Sequence, residues 1–229
     1  PDLIVCAESA LFCYLARQPR AMRRVLGWSS ITEIPLITGS LHWERNPQRE
    51  SSPREYSVYN AAFFIDNDST EMEAYFKIRL LPFSEYIPFE AQMPILNRVN
   101  LGEADFTRGT DEKIFMVGSK IKAAPFICFE IVFPGFVRRR VRAGANILVN
   151  ITNDGWWGRS NGPFHHAAMA QMRCVENGVP MVRCANSGIS MAVDQFGRIQ
   201  QETPLQTRTI LTSNVSLAPQ PTFYRRWGD

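Results

Sequence analysis

No stretch of this chain reaches the roughly 18 uninterrupted apolar residues that a membrane-crossing helix requires. Its start, Pro1-Asp2, carries no basic residue ahead of an apolar run, and charge returns at Glu8, so no signal peptide is read. The missing initiator Met and the immediate strand-like Leu3-Ile4-Val5 predict a segment cut from a longer protein. Charge of one sign is scarce as well. With 25 Lys and Arg against 22 Asp and Glu, net +3, no global field points to nucleic acid, and no such partner is expected. The basic clusters Arg138-Arg139-Arg140 with Arg142, and Arg225-Arg226, are short; they read as solvated faces or, failing that, as contacts to phospholipid headgroups. Neither a P-loop nor a GxGxxG is present, so no nucleotide site is indicated. The five cysteines are an odd set without CxxC spacing, which argues against a disulfide scaffold or a structural zinc. His165-His166 are adjacent, point in different directions on a helix and lack a third ligand at suitable spacing, so neither a metal nor another cofactor is expected.

What is present is enough apolar material, 45% of 229 residues, for a sizeable core. Strand and helix patterns alternate, which argues for an α/β fold. Strands are read at Leu3 to Val5, Pro35 to Ser40, Tyr56 to Ile65, Ile114 to Val117, Ile121 to Cys128, Ala145 to Ile151, Met181 to Cys184 and Ser190 to Asp194. Helical patterns run from Leu11 to Leu26 and from Pro163 to Asn177, the latter with Pro in its first turn and Gly178 and Pro180 as stops. Polar loops are read from Arg45 to Pro53 and at Asp66-Asn67-Asp68. No linker-like stretch divides the chain, so one domain over residues 1–229 is expected.

Three chemistry-bearing residues stand at the ends of apolar runs. Cys128 ends Ala124-Pro125-Phe126-Ile127 and is followed by Phe129-Glu130. A cysteine there is either a small buried hydrophobe or, if the strand turns into a helix whose amides face it, a thiol poised to become a thiolate. Lys77 lies among Tyr75, Phe76, Ile78 and Leu80; it either extends its ammonium to water or places a fixed charge beside a reacting carbonyl. Glu8 follows Leu3-Ile4-Val5 and is a surface carboxylate or a base for the thiol. Cys6, Cys13, Cys174 and Cys184 lack such a setting and read as structural.

Together, Tyr75-Phe76-Lys77 with Leu81-Pro82-Phe83-Ser84-Glu85, Cys128-Phe129-Glu130, Asn150-Ile151-Thr152-Asn153-Asp154-Gly155-Trp156-Trp157-Gly158 and Arg183-Cys184-Ala185-Asn186-Ser187-Gly188 resemble the carbon–nitrogen hydrolase (nitrilase) superfamily. More narrowly, they resemble its branch of bacterial enzymes that N-acylate apolipoproteins. The resemblance implies a four-layer α-β-β-α sandwich, with the family's first strand and helix lying before Pro1 and membrane helices on either side. It implies Glu8 as general base, Lys77 as oxyanion stabiliser and Cys128 as nucleophile, with Glu85 and Glu130 orienting Lys77 and setting its charge environment. Phe83, Phe129, Trp156 and Trp157 would line the pocket or its rim, as would Pro88-Phe89; for the tryptophan pair, core packing is the other reading. The implied partners are a phospholipid acyl donor, a lipid-modified apolipoprotein acceptor and the membrane surface, at the periplasmic face of the bacterial inner membrane. The chain departs from the family at Cys6-Ala7, where Trp-Pro usually precedes the glutamate, and at Phe129, where a tyrosine commonly follows the nucleophile. Two other readings use the same residues: a soluble amidase in which water attacks the thioester, and a silent domain that binds lipid or protein.

Overall fold

A computed structural model describes residues 1–46, 55–67, 71–86, 106–158 and 160–228. The strands form two sheets. One has the order β1 (Ile4–Val5), β2 (Leu36–Arg45), β3 (Tyr56–Ile65), β4 (Met72–Phe76). The other runs β10 (Ile199–Glu202), β9 (Met191–Val193), β8 (Met181–Asn186), β7 (Ile147–Asn153), β6 (Ile121–Ile127), β5 (Phe115–Val117). β6, β7 and β8 are mutually parallel, and β1 is parallel to β2. The helices are α1 (Pro19–Thr32), α2 (Pro134–Arg142), α3 (Gly162–Asn177) and the short α4 (Phe223–Trp227).

Strand alternation sorts the apolar side chains into three clusters, and these define four layers. Along β3, Ala62 and Phe64 pack with Ile127, Ile147, Val149 and Ile151 of the second sheet, filling the space between the sheets. Their neighbours Ala61, Phe63 and Ile65 point the other way, against Ala21, Val25 and Leu26 of α1. On the second sheet, Ala124, Phe126 and Leu148 face outward onto Phe136, Val137 and Val141 of α2 and Ala167, Ala170 and Cys174 of α3. Strands covered on both faces carry apolar residues at successive positions, as at Ala61 to Ile65 of β3 and Ile147 to Val149 of β7. The α-β-β-α sandwich expected from the resemblance is the architecture found.

Two sequence expectations need correction. The helix read from Leu11 to Leu26 starts later: Leu15–Arg17 is a 3-10 turn and α1 begins at Pro19. Proline disfavours the helical region for the residue before it, and Gln18 is extended, with φ −115° and ψ 93°. The Arg138–Arg142 cluster is a solvated face only in part: Arg139 and Arg142 are exposed, and the other two arginines are not. Arg140 is buried on α2, stacked over Tyr75 at 4.8 Å and Phe126 at 5.0 Å, with Lys113 O accepting from Nη2. Arg138 donates to the carbonyls of Tyr224, Arg225 and Arg226, so it holds the last turn of α4. The loop read from Arg45 to Pro53 and the end of the Asp66-Asn67-Asp68 turn fall largely outside the described residues.

Candidate active site

The segments that follow β1, β4, β6 and β7 converge, and each brings a polar side chain. After β1 the backbone turns at Ser9 (φ +51°), which presents Glu8 over β2. This turn lies so close to β2 that a Cβ on Gly39 would come within 2.6 Å of Ala7 O and Ser9 N. Only glycine leaves that room. Gly39→Ala is therefore expected to shift Glu8 and lower turnover by about 10²-fold, the usual cost of misplacing a reacting group by an ångström. A Michaelis analysis alongside a melting curve checks this; unchanged turnover in the folded variant would count against the packing argument.

Glu8 is buried and fully engaged. Its Oε1 accepts from Asn60 Nδ2 at 2.7 Å and its Oε2 from Asn153 N at 2.7 Å. Lys77 follows β4, with its N–H on Asn60 O at 2.9 Å and its carbonyl accepting from Gly109 N at 2.8 Å. At 1% exposure its ammonium does not reach water, which removes the solvated reading. It donates to Glu85 Oε1 at 2.7 Å and lies 3.9 Å from Glu8 Oε1. Glu85 is held in turn by Leu81 N at 2.8 Å, and Asn60 Nδ2 reaches its Oε1 at 3.3 Å. Burial opposes the Lys77 charge, yet Cys128 once ionised, and the Glu8 and Glu85 carboxylates, push its pKa up. The ammonium is thereby locked on.

Glu130 feels the Lys77 charge and acts on the lysine segment through its backbone. It makes no hydrogen bond to Lys77. Its oxygens accept from Tyr75 Oη, from the amides of Ile78 and Arg79 just after Lys77, and from the amide of Ile127 just before Cys128. One fully buried carboxylate thus ties the lysine segment to the cysteine segment. Burial pushes its pKa up, although the amides of Arg79 and Ile127 pull it back.

Cys128 opens a 3-10 turn, Cys128–Val132, directly after β6, with φ +53°. L-residues adopt this left-handed region at a cost of order 1 kcal/mol. The resting sulfur is a neutral thiol. Burial and the Glu8 charge push its pKa up to about 12, outweighing Lys77 and a hydrogen bond with Thr152. The turn amides, which would favour a thiolate, belong to only five residues of 3-10 turn and do not offset burial beside a carboxylate. Glu8 suits the task of removing the proton, since burial, ahead of the opposing Lys77 and Asn60, raises its pKa too.

The aromatic candidates divide. Trp156 and Trp157 lie in the turn Asp154–Trp157 after β7, 69% and 41% exposed, so core packing is excluded for them. Phe83 is 61% exposed. Phe129 is half-buried, edge-on to Phe133 at 5.7 Å. Pro88 and Phe89, expected on the same rim, lie outside the described residues. Sequence reasoning missed Asn60, Thr152 and the role of His166. The available signal was polarity inside apolar strands: Asn60 interrupts β3, and Asn150 and Thr152 interrupt β7.

A half-buried thiol beside a buried carboxylate and a buried ammonium, at strand ends of an α-β-β-α sandwich, is the set of groups that covalent catalysis through a thiol uses. The chain matches the carbon–nitrogen hydrolase family over residues 2–219 and belongs to it. Among curated relatives, it is 37% identical over 228 residues to the apolipoprotein N-acyltransferase of Geobacter metallireducens, covering 100% of this chain and 42% of that protein. It is 34% identical over 243 residues to that of Chlorobaculum tepidum, covering 97% and 45%. The chain thus spans less than half the length of these relatives. Among solved structures, a carbon–nitrogen hydrolase from Helicobacter pylori G27 superposes with a TM-score of 0.69 at 14% identity, covering 94% of this chain and 77% of that one. Nit3 of Saccharomyces cerevisiae superposes at 0.62 with 18% identity, covering 90% and 73%. These low identities speak to the fold alone. Among the described residues, no helix is long and apolar enough to cross a membrane.

Proposed function

We propose that this chain is the catalytic domain of an apolipoprotein N-acyltransferase, one domain over residues 1–229 within a larger protein of the bacterial inner membrane, facing the periplasm. The reading is carried by one observation: Glu8, Lys77 and Cys128 lie together in a chain whose whole length matches part of enzymes of that name. Glu8 takes the Cys128 proton as the sulfur attacks a phospholipid ester. Lys77 and a backbone N–H hold the oxyanion. The tetrahedral adduct collapses, lysophospholipid leaves with a proton returned by Glu8, and the acyl chain remains as a thioester on Cys128. The free α-amine of a diacylglyceryl-cysteine on the apolipoprotein then attacks, loses a proton to Glu8 and departs as an amide, restoring the thiol. Phe83, Trp156 and Trp157, exposed and apolar, form the rim that meets the bilayer.

The test is mass spectrometry of the full-length parent in phospholipid vesicles. An acyl adduct on Cys128 that is discharged by a diacylglyceryl-cysteine peptide is the expected result. Discharge by water alone would make the protein an amidase-type hydrolase, and a folded parent with no adduct would make it a silent domain.

A pH profile adds a second check. Glu8 acts only as the carboxylate, and its pKa is raised above the ordinary 4.5. Activity is therefore expected to be lost, on lowering the pH, at a higher pH than an ordinary glutamate would dictate. An acid limb at or below 4.5 would count against Glu8 as the base.

A further inference from the structure

Behind the nucleophile lies a set of buried polar side chains that the chemistry above does not use. Asp154, His166 and Arg183 come from the turn after β7, from α3 and from β8, and each is about 1% exposed. Asp154 Oδ1 accepts from Thr152 Oγ1 at 3.0 Å and faces His166 Nδ1 at 2.9 Å, while its Oδ2 accepts from Arg183 Nη2 at 2.7 Å. Arg183 is anchored by Ile189 O at 3.1 Å and by Asn150 Oδ1. The other ring nitrogen of His166, Nε2, stands 3.2 Å from the carbonyl oxygen of Cys128, and Asn150 Nδ2 reaches the same oxygen at 3.3 Å. His165, its neighbour in sequence, is exposed and takes no part. Buried charged groups are costly unless each is bonded, and here the bonds converge on one peptide group.

That peptide joins Cys128 to Phe129. It is trans, so its carbonyl and the Phe129 N–H point in opposite directions. Phe129 is the second residue of the 3-10 turn, where an N–H has no partner within the turn. Holding the carbonyl on the His166 side therefore aims this N–H away from His166.

We propose that His166, with a donor hydrogen on Nε2 and Nδ1 held between Asp154 and Arg183, is a positioning residue that fixes the Cys128 carbonyl and so aims the Phe129 N–H as the oxyanion donor opposite Lys77. The proposal rests on the acyl-transfer reading above. It predicts that His166 governs steps that form an oxyanion and not the reactivity of the sulfur as such.

The test compares His166→Gln with His166→Met in the full-length parent in phospholipid vesicles. The two side chains have similar reach and differ in the N–H donor. Thioester formation creates an oxyanion; alkylation of Cys128 by iodoacetamide displaces iodide from a tetrahedral carbon and creates none. The Met variant is expected to lose about 10- to 100-fold in the rate constant for acylation, below the loss of a whole oxyanion donor, with KM unchanged. Its alkylation rate should stay within about threefold, and the Gln variant should stay within about fivefold in both assays. Equal falls in acylation and alkylation, or equal acylation by the two variants, would overturn the proposal. Should the Met variant not accumulate, the Gln variant decides alone: a loss of about tenfold or more in acylation refutes the donor role. Failure of the acyl-transfer reading shows differently, as a parent with no thioester or a Cys128→Ala variant that still transfers; the His166 proposal then falls with it.

Discussion

Cys128→Ser is expected to lower acyl transfer by at least about 10³-fold while leaving the fold intact. The two side chains are nearly isosteric, and serine can adopt the same left-handed backbone, so the contacts of the turn survive. The chemistry does not. The thiol already sits at about 12, and Glu8 beside it is a modest base. A hydroxyl is several units less acidic than a thiol, so the same carboxylate would face a far steeper proton transfer. Measuring lipid transfer to a diacylglyceryl-cysteine peptide, with the mass of residue 128 followed in parallel, tests this. Near-parental transfer by the serine variant would remove Cys128 from the nucleophile's role.

Lys77→Met is expected to cost roughly 3–4 kcal/mol in the barrier from the lost oxyanion contact alone. The structure adds a second effect. Nζ lies 2.7 Å from Glu85 and 3.9 Å from Glu8, so its removal leaves two buried carboxylates facing each other without a cation. One of them then takes a proton, and if it is Glu8 the base is lost near neutral pH. Breaking a buried pair in this way also costs stability, about 3–5 kcal/mol. The double variant Lys77→Met/Glu85→Gln separates the effects: it relieves the repulsion and should recover much of the melting temperature without recovering turnover. A loss below tenfold in the folded single variant would exclude an oxyanion role for Lys77.

Glu8, Lys77, Glu85 and Cys128 could be singled out in the sequence because each ends or follows an apolar run and sits in a block that resembles one family. The strands were legible for a related reason: in β3, β6 and β7 both faces are covered, so local composition and burial agree. Where local and tertiary demands part, local pattern misleads. The apolar spacing from Leu11 looked helical, but Leu15 N bonds Ser40 Oγ on β2 and Pro19 sets the true start of α1. Arg140 looked solvated, yet aromatic faces from β4, β6 and α2 enclose its guanidinium.

By itself, then, the sequence determined the α/β class, the run of strands, the family blocks and the identity of the thiol, carboxylates and amine, because these depend on composition and order along the chain. Only the tertiary structure decided that Lys77 is buried between Glu8 and Glu85, that Glu130 clamps backbone amides rather than the lysine, that the Cys128 thiol rests neutral, and that His166 reaches its carbonyl. Charge state and hydrogen-bond partner are set by what lies within a few ångströms, and here the groups in contact stand as far as 145 positions apart in the chain, as Glu8 and Asn153 do.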